Sequence, residues 1–156
     1  MPDGQLPGGS RPSARPDESL VSRLQIRLRA VAPTAFAGIA IEPDRSITVY
    51  ATVVEPALSQ AIAEVQTQTP GGVPVRVTSG IRNSLATLED VRDRITARAR
   101  DLVAQGVSLT EWGPDIRANR VRIGVHGLTP AIAAALEREF GADRILVVEG
   151  VQVTAV

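Results

Sequence analysis

The chain has 156 residues, the length of one domain or of two very small ones. Hydrophobic residues make up 44% and charged residues 22%, enough apolar material for a core, while aromatics at 3% leave that core to Val, Ile, Leu and Ala. Seventeen basic residues balance seventeen acidic ones, which excludes the strongly basic footprint of a general nucleic-acid binder. Cysteine and lysine are both absent, so disulfides, thiolate nucleophiles, Schiff bases and phosphate-loop lysines are excluded.

Residues 1–16 are rich in Pro, Gly, Ser and Arg, have no periodicity, and read as a disordered tail. No secretory leader and no run of transmembrane length is seen. The expected location is cytoplasmic by default, or secreted if a leader has been removed. Leu20, Leu24, Leu28 and Val31 recur at helical spacing with Arg23, Arg27 and Arg29 between them, and Pro33 stops the run. Leu24, Ile26 and Leu28 also alternate, as in a strand, but the longer pattern favours a helix over 18–31. Its arginines read as a solvated face.

An internal repeat comes next along the chain. Ile47, Val49, Ala51 and Val53 alternate with Thr48, Tyr50 and Thr52, which predicts a strand. Pro56 then opens a helix carrying Leu58, Ala61, Ile62 and Val65. The same order returns 74 residues later: Val121, Ile123 and Val125 alternate, and Pro130 opens a helix with Ile132, Ala134, Ala135 and Leu136. Thr129 is placed to cap that second helix and Gly141 to end it. A strand is expected after each helix, at 73–78 and 144–149. Another is expected before each alternating segment, at 38–42 and 107–116, with turns at Pro43-Asp44-Arg45-Ser46 and Ala118-Asn119.

Between the copies a helix is expected over 84–105, with the stripe Leu85, Leu88, Val91, Ile95, Leu102 and Val103. Asn83 or Ser84 can cap it, Gly106 can end it, and Asp90 and Arg94 are spaced for an ion pair. The fold class read from this pattern is α+β. Two duplicated β-hairpin/helix/strand units with small antiparallel-rich sheets are bridged by a long central helix. The division is a tail 1–16, a helix with the first unit 17–82, a connecting helix 83–105, and the second unit with a C-terminal strand 106–156. Small sheets of this kind leave strand edges open.

Little chemistry is on offer. His126, the only histidine, falls on the outer side of its strand, without a nucleophile or a metal-ligand spacing around it. Gly71-Gly72 lacks the spacing, the lysine and the following helix of a phosphate loop, and reads as a turn. Glu111 and Asp115 flank Trp112 and Gly113-Pro114, which leaves an enzyme using Asp115, Glu111 or His126 as the weakest of three readings. Arg82, Arg92, Arg94, Arg98 and Arg100 are interspersed with acids and read as a salt-bridged helix face. Trp112 is either an interface anchor or packing between elements. No catalytic residue, metal site or cofactor is expected.

Two stretches resemble a known family. Phe36-Ala37-Gly38-Ile39 through Glu42-Pro43-Asp44, followed by a strand, is similar to the hairpin of actinobacterial serine-protease pro-regions of the alpha-lytic protease and streptogrisin type. Val107 through Ala118-Asn119-Arg120-Val121, then the Thr129-Pro130 helix and a closing strand, resembles their second subdomain, so the likeness spans roughly 34–150. It implies a folding catalyst and inhibitor that pairs a sheet strand with a protease hairpin and lays its C-terminal tail in the active site. No protease follows Val156 here, so the expectation is a stand-alone relative acting in trans.

The leading expectation is a non-catalytic module that binds a protein partner, a serine protease by the resemblance, through strand pairing. The tail from Val151 to Val156 alternates in polarity. It is either the inserted strand or an edge strand of its own sheet. Trp112, Val151, Val153, Ala155 and Val156 are the candidate contact residues. The alternative is a homo-oligomer whose edges pair with its own copies. Neither nucleic acid nor a membrane span enters these readings.

Overall fold

The computed structural model describes residues 16–69 and 71–151. In chain order they form α1 (Pro16–Val31), β1 (Phe36–Ile41), β2 (Ile47–Ala51), α2 (Pro56–Gln68), β3 (Val75–Thr78), α3 (Leu85–Ala104), β4 (Ser108–Asp115), β5 (Arg120–His126), α4 (Pro130–Phe140) and β6 (Ile145–Glu149). The α+β expectation holds: two three-stranded sheets, β1-β2-β3 and β4-β5-β6, each pair their first two strands antiparallel and their last two parallel. The antiparallel pair has the longer register in both.

Element order shows that the repeat is larger than a hairpin, a helix and a strand. Each unit is a helix, a hairpin, a helix and a strand, so α3 is the counterpart of α1. Leu20, Leu24 and Leu28 of α1 join the first core with Phe36, Ile47, Val49, Leu58 and Ile62. Leu88, Val91, Ile95 and Leu102 of α3 join the second with Val121, Ile123, Val125, Leu136, Phe140 and Ile145. The central helix is therefore built into the second unit, and only Leu85, at its start, enters the first core.

The two hairpins match in detail. A bulge interrupts β1 between Phe36 and Gly38, and another interrupts β4 between Leu109 and Glu111, opposite equivalent positions of β2 and β5. Both turns end on a non-glycine residue in the left-handed region, Arg45 at φ 68° and Asn119 at φ 54°. The first turn holds three residues beyond the Glu42–Ser46 backbone bond; the second holds four beyond the Asp115–Arg120 pair. The extra residue is Ile116. A Cβ on Gly38 would lie 2.6 Å from Ile116 Cγ2, so the glycine makes room for this side chain, which packs on the first core.

The junction is closed by polar contacts. Asn83 N–H donates to Asn119 Oδ1 at 2.8 Å, and Asn119 Nδ2 returns a bond to Asn83 O at 2.8 Å. Asn83 Nδ2 donates to Asn119 O at 3.0 Å and to Asp143 O at 2.9 Å. Arg117 reaches the Glu42 carboxylate at 3.6 Å, and Arg29 of α1 meets Glu89 of α3 at 2.6 Å. The first of these links the two hairpin tips, the second the two equivalent helices.

Local signals mostly act where expected. Ser84 Oγ accepts from Thr87 N–H and Thr129 Oγ1 from Ile132 N–H, so both capped helices start as predicted. Some expectations are corrected. β2 ends at Ala51, and Val53, expected on its buried side, is 54% exposed, because the chain has already turned toward α2. Val103 is exposed near the end of α3, where Leu102 takes the buried position. The Asp90–Arg94 pair does not form. Arg94 donates to Glu139 O at 3.3 Å, and its guanidinium stands 5.7 Å from the Phe140 ring centroid, two contacts that together outweigh one exposed carboxylate.

Replacing Asn119 with Ala forces a β-carbon-bearing residue without a compensating amide into the left-handed region and removes two bonds to Asn83. The expected loss is about 2–3 kcal/mol in chemical denaturation. Arg45→Asn, at the equivalent position with no such network, is expected to be neutral or stabilising by about 0.5 kcal/mol.

Candidate protein-interaction surface

The second sheet has two unlike faces. Val121, Ile123 and Val125 of β5 point toward α3 and α4 and are fully buried. The residues in the opposite phase are Arg120, Arg122, Gly124 and His126 of β5, their β4 partners Glu111, Gly113 and Asp115, and Leu146 and Val148 of β6. Both helices of this unit pack on the other side, so here Arg120, Arg122 and His126 are exposed and Leu146 and Val148 half-buried, while Gly124 is buried under the Thr110 and Glu111 side chains. Arg122 Nε stands 3.5 Å from Asp115 Oδ2 across it. Glu111, Trp112, Gly113, Pro114, Asp115 and Arg122 line a shallow cleft of about 340 Å³ along β4.

The groups named for acid–base work do not converge. Asp115 pairs with Arg120 at one end of β5, while His126 lies opposite Ser108 at the other, about 20 Å along the strand. His126 Nδ1 is 3.9 Å from Glu149 Oε1, and both side chains are exposed. Glu149 itself holds the following turn, accepting from Gly127 N–H at 2.9 Å and Leu128 N–H at 2.8 Å. These two backbone bonds, with a smaller contribution from His126, hold its carboxyl below the usual range. Among the described residues no cluster of three or more His, Asp or Glu side chains could hold a metal ion.

Trp112 faces the helices: its Nε1 donates to Thr96 Oγ1 of α3 at 2.9 Å, and the half-buried ring packs on the second core. It sits on β4, at the opposite edge of the sheet from β6 and Val151. Val151 is 83% exposed just beyond β6. Val153, Ala155 and Val156 lie outside the described residues. No signal in the local sequence distinguished Trp112 as packing, because its partner Thr96 is on another element.

The remaining candidate is backbone. Val121 N–H donates to Arg144 O at 2.8 Å and Gly150 N–H to Val125 O at 2.9 Å, and the register between them pairs Ile123 with Val147. In a parallel ladder alternate residues therefore turn their amides to β5, namely Arg144, Leu146, Val148 and Gly150. The amides of Ile145, Val147 and Glu149 point away from the sheet. Ile145 N–H is taken by Gly141 O at 3.1 Å, but Val147 and Glu149 have no backbone partner among the described residues.

Other edges are less free. Ile41 O of β1 receives Arg117 at 3.4 Å; β4 is bulged and packs on α3; β3 has four residues and carries Arg76. β6 has no glycine or proline, and its one charge, Glu149, follows the apolar run Ile145-Leu146-Val147-Val148. Gly124 and Gly150 flank its far end, where a Cβ on either would collide with the Thr110 side chain. Thr110 Oγ1 is buried there and finds no partner among the described residues.

No family model and no curated protein matches the chain. Among solved structures it overlaps the periplasmic domain of PrgH, the type III secretion inner-membrane protein of S. typhimurium, with a TM-score of 0.34 and 14% identity, over 87% of this chain and 78% of that one. A second structure of the PrgH periplasmic domain gives a TM-score of 0.34 and 13% identity, over 90% and 72%. Overlap this low carries no argument about function. Among the described residues no helix is long and apolar enough to cross a membrane.

Thr110→Val keeps the shape and removes an unpaired buried hydroxyl, so a gain of about 1 kcal/mol is expected in denaturant melts, against a loss for Gly124→Ala. Glu149 supplies a second check. Its depressed pKa means its contribution to stability is complete above the ordinary value of 4.5 and is lost as pH falls through the lower folded value. The thermal midpoint of wild type should therefore fall more steeply than that of Glu149→Gln below pH 4.5.

Proposed function

We propose that this chain is a non-catalytic protein-binding module that captures an extended segment of a partner on the free edge of its second sheet. The observation that supports this most directly is the outward row of backbone groups on β6, a strand without proline or glycine whose one charge, Glu149, stands at its end. Backbone bonds to Val147 and Glu149 supply attachment. Leu146 and Val148, on the uncovered face, supply selection by alternate side chains.

The partner class comes from the resemblance of the hairpins to serine-protease pro-regions. On that reading the chain acts in trans as an inhibitor or folding aid for a serine protease. On the same resemblance the C-terminal residues 151–156 are the part that would enter the protease active site. Trp112, packed on α3 at the far edge, then serves the fold of the module and not the contact.

The test is titration of the chain against purified serine proteases of the alpha-lytic and streptogrisin type, reading complex formation and peptide hydrolysis. A one-to-one complex with inhibition is expected. Ending the chain at Gly150 should weaken inhibition at least tenfold, about 1.4 kcal/mol or more, and a Leu146→Lys, Val148→Lys double variant should weaken complex formation by a similar factor. Absence of any complex at about 10 μM with the intact chain would overturn the protease assignment.

A further inference from the structure

We infer that β6 also pairs with β6 of a second copy of this chain, antiparallel and centred on Val147, so that the edge offered to a partner is covered by self-association. The inference rests on the reading of β6 as the free edge. What carries it is the direction of the backbone groups, which leaves one register open.

Only Ile145, Val147 and Glu149 present amides outward. Two identical antiparallel strands meet about a two-fold axis perpendicular to the sheet, and facing residues must share a face and both point at each other. With three outward residues available, the register that uses all of them sets Val147 against the partner's Val147 and Ile145 against the partner's Glu149. Val147 then exchanges two bonds with the partner's Val147. Glu149 N–H meets the carbonyl of the partner's Ile145, twice by symmetry. Ile145 N–H is already bonded to Gly141 O, so four bonds are available.

Side chains fit the same register. On the uncovered face Leu146 falls opposite the partner's Val148, twice, joining four half-buried aliphatic residues into one strip. Arg144 falls beside the partner's Gly150, so no like charges face each other in this register. The short edge strand β3 offers no such match: centring on Arg76 would set two cations face to face, and its outward residues are only Val75 and Val77.

The experiment is sedimentation of the full chain from about 10 μM to about 1 mM, with amide hydrogen exchange at the two ends of that range. The average mass should rise from one chain toward two. The amides of Val147 and Glu149 should exchange at least several-fold more slowly at the high concentration, while that of Val77 is unchanged. Val147→Pro should abolish the rise; its N–H points outward, so the bonds to β5 survive. Should that variant misfold, the exchange measurement on wild type decides alone. A strict monomer to about 1 mM, or slowing at Val77 in place of Val147, would overturn the inference. Partner capture measured at nanomolar chain concentration separates the two claims: a strict monomer that captures a partner sinks only self-pairing, and a dimer that captures none when dilute sinks only the partner reading.

Discussion

The direction in which alternate peptide groups point along a parallel edge strand is the constraint on which this molecule turns. Once Val121 and Val125 have bonded Arg144 and Gly150, the amides of Ile145, Val147 and Glu149 have no choice but to face away. Water can satisfy them, at the cost of leaving an apolar strand wet along its edge. Another strand satisfies them and removes that apolar strip from water at once. Nothing in the side-chain chemistry of the sheet competes with this: Asp115, Arg122 and His126 are scattered along its open face and are engaged with local partners.

The two units are alike in plan but differ in how their hairpins are covered. Both carry the same bulge, the same left-handed turn residue and the same parallel closing strand. The second turn differs by the single residue Ile116, and that residue reaches the first unit over Gly38. The first hairpin is thereby covered along β1, with Arg117 on Ile41 O and on Glu42.

The strands and helices were legible because their causes are local. Alternation at 47–51 and 121–125, proline at the first helical position, and hydroxyl caps at Ser84 and Thr129 each act within a few residues. What was missed is long-range. That α3 repeats α1 was hidden because its stripe Leu88, Val91, Ile95 shares only spacing with Leu20, Leu24, Leu28. The Asn83–Asn119 clamp joins residues 36 apart, and each asparagine alone read as a cap or a turn. Trp112 stayed open between anchor and packing because Thr96, which holds its indole, lies on another element. The identity of the freest edge needed the register itself, since strand order and the direction of the outward amides cannot be read from the apolar pattern of 73–78 or 144–149.

Energetics decide what can use such an edge. Four to six backbone bonds contribute about 0.5–1.5 kcal/mol each in net terms, and association costs at least about 4 kcal/mol in lost freedom. Edge pairing alone is therefore close to balanced and reversible. A tight complex needs apolar burial besides, and the open face supplies the place for it in the half-buried side chains of Leu146 and Val148. A lone extended peptide covers the edge and leaves that face wet. A hairpin or a folded domain covers both, and so gains from the same four bonds an affinity that the peptide cannot reach.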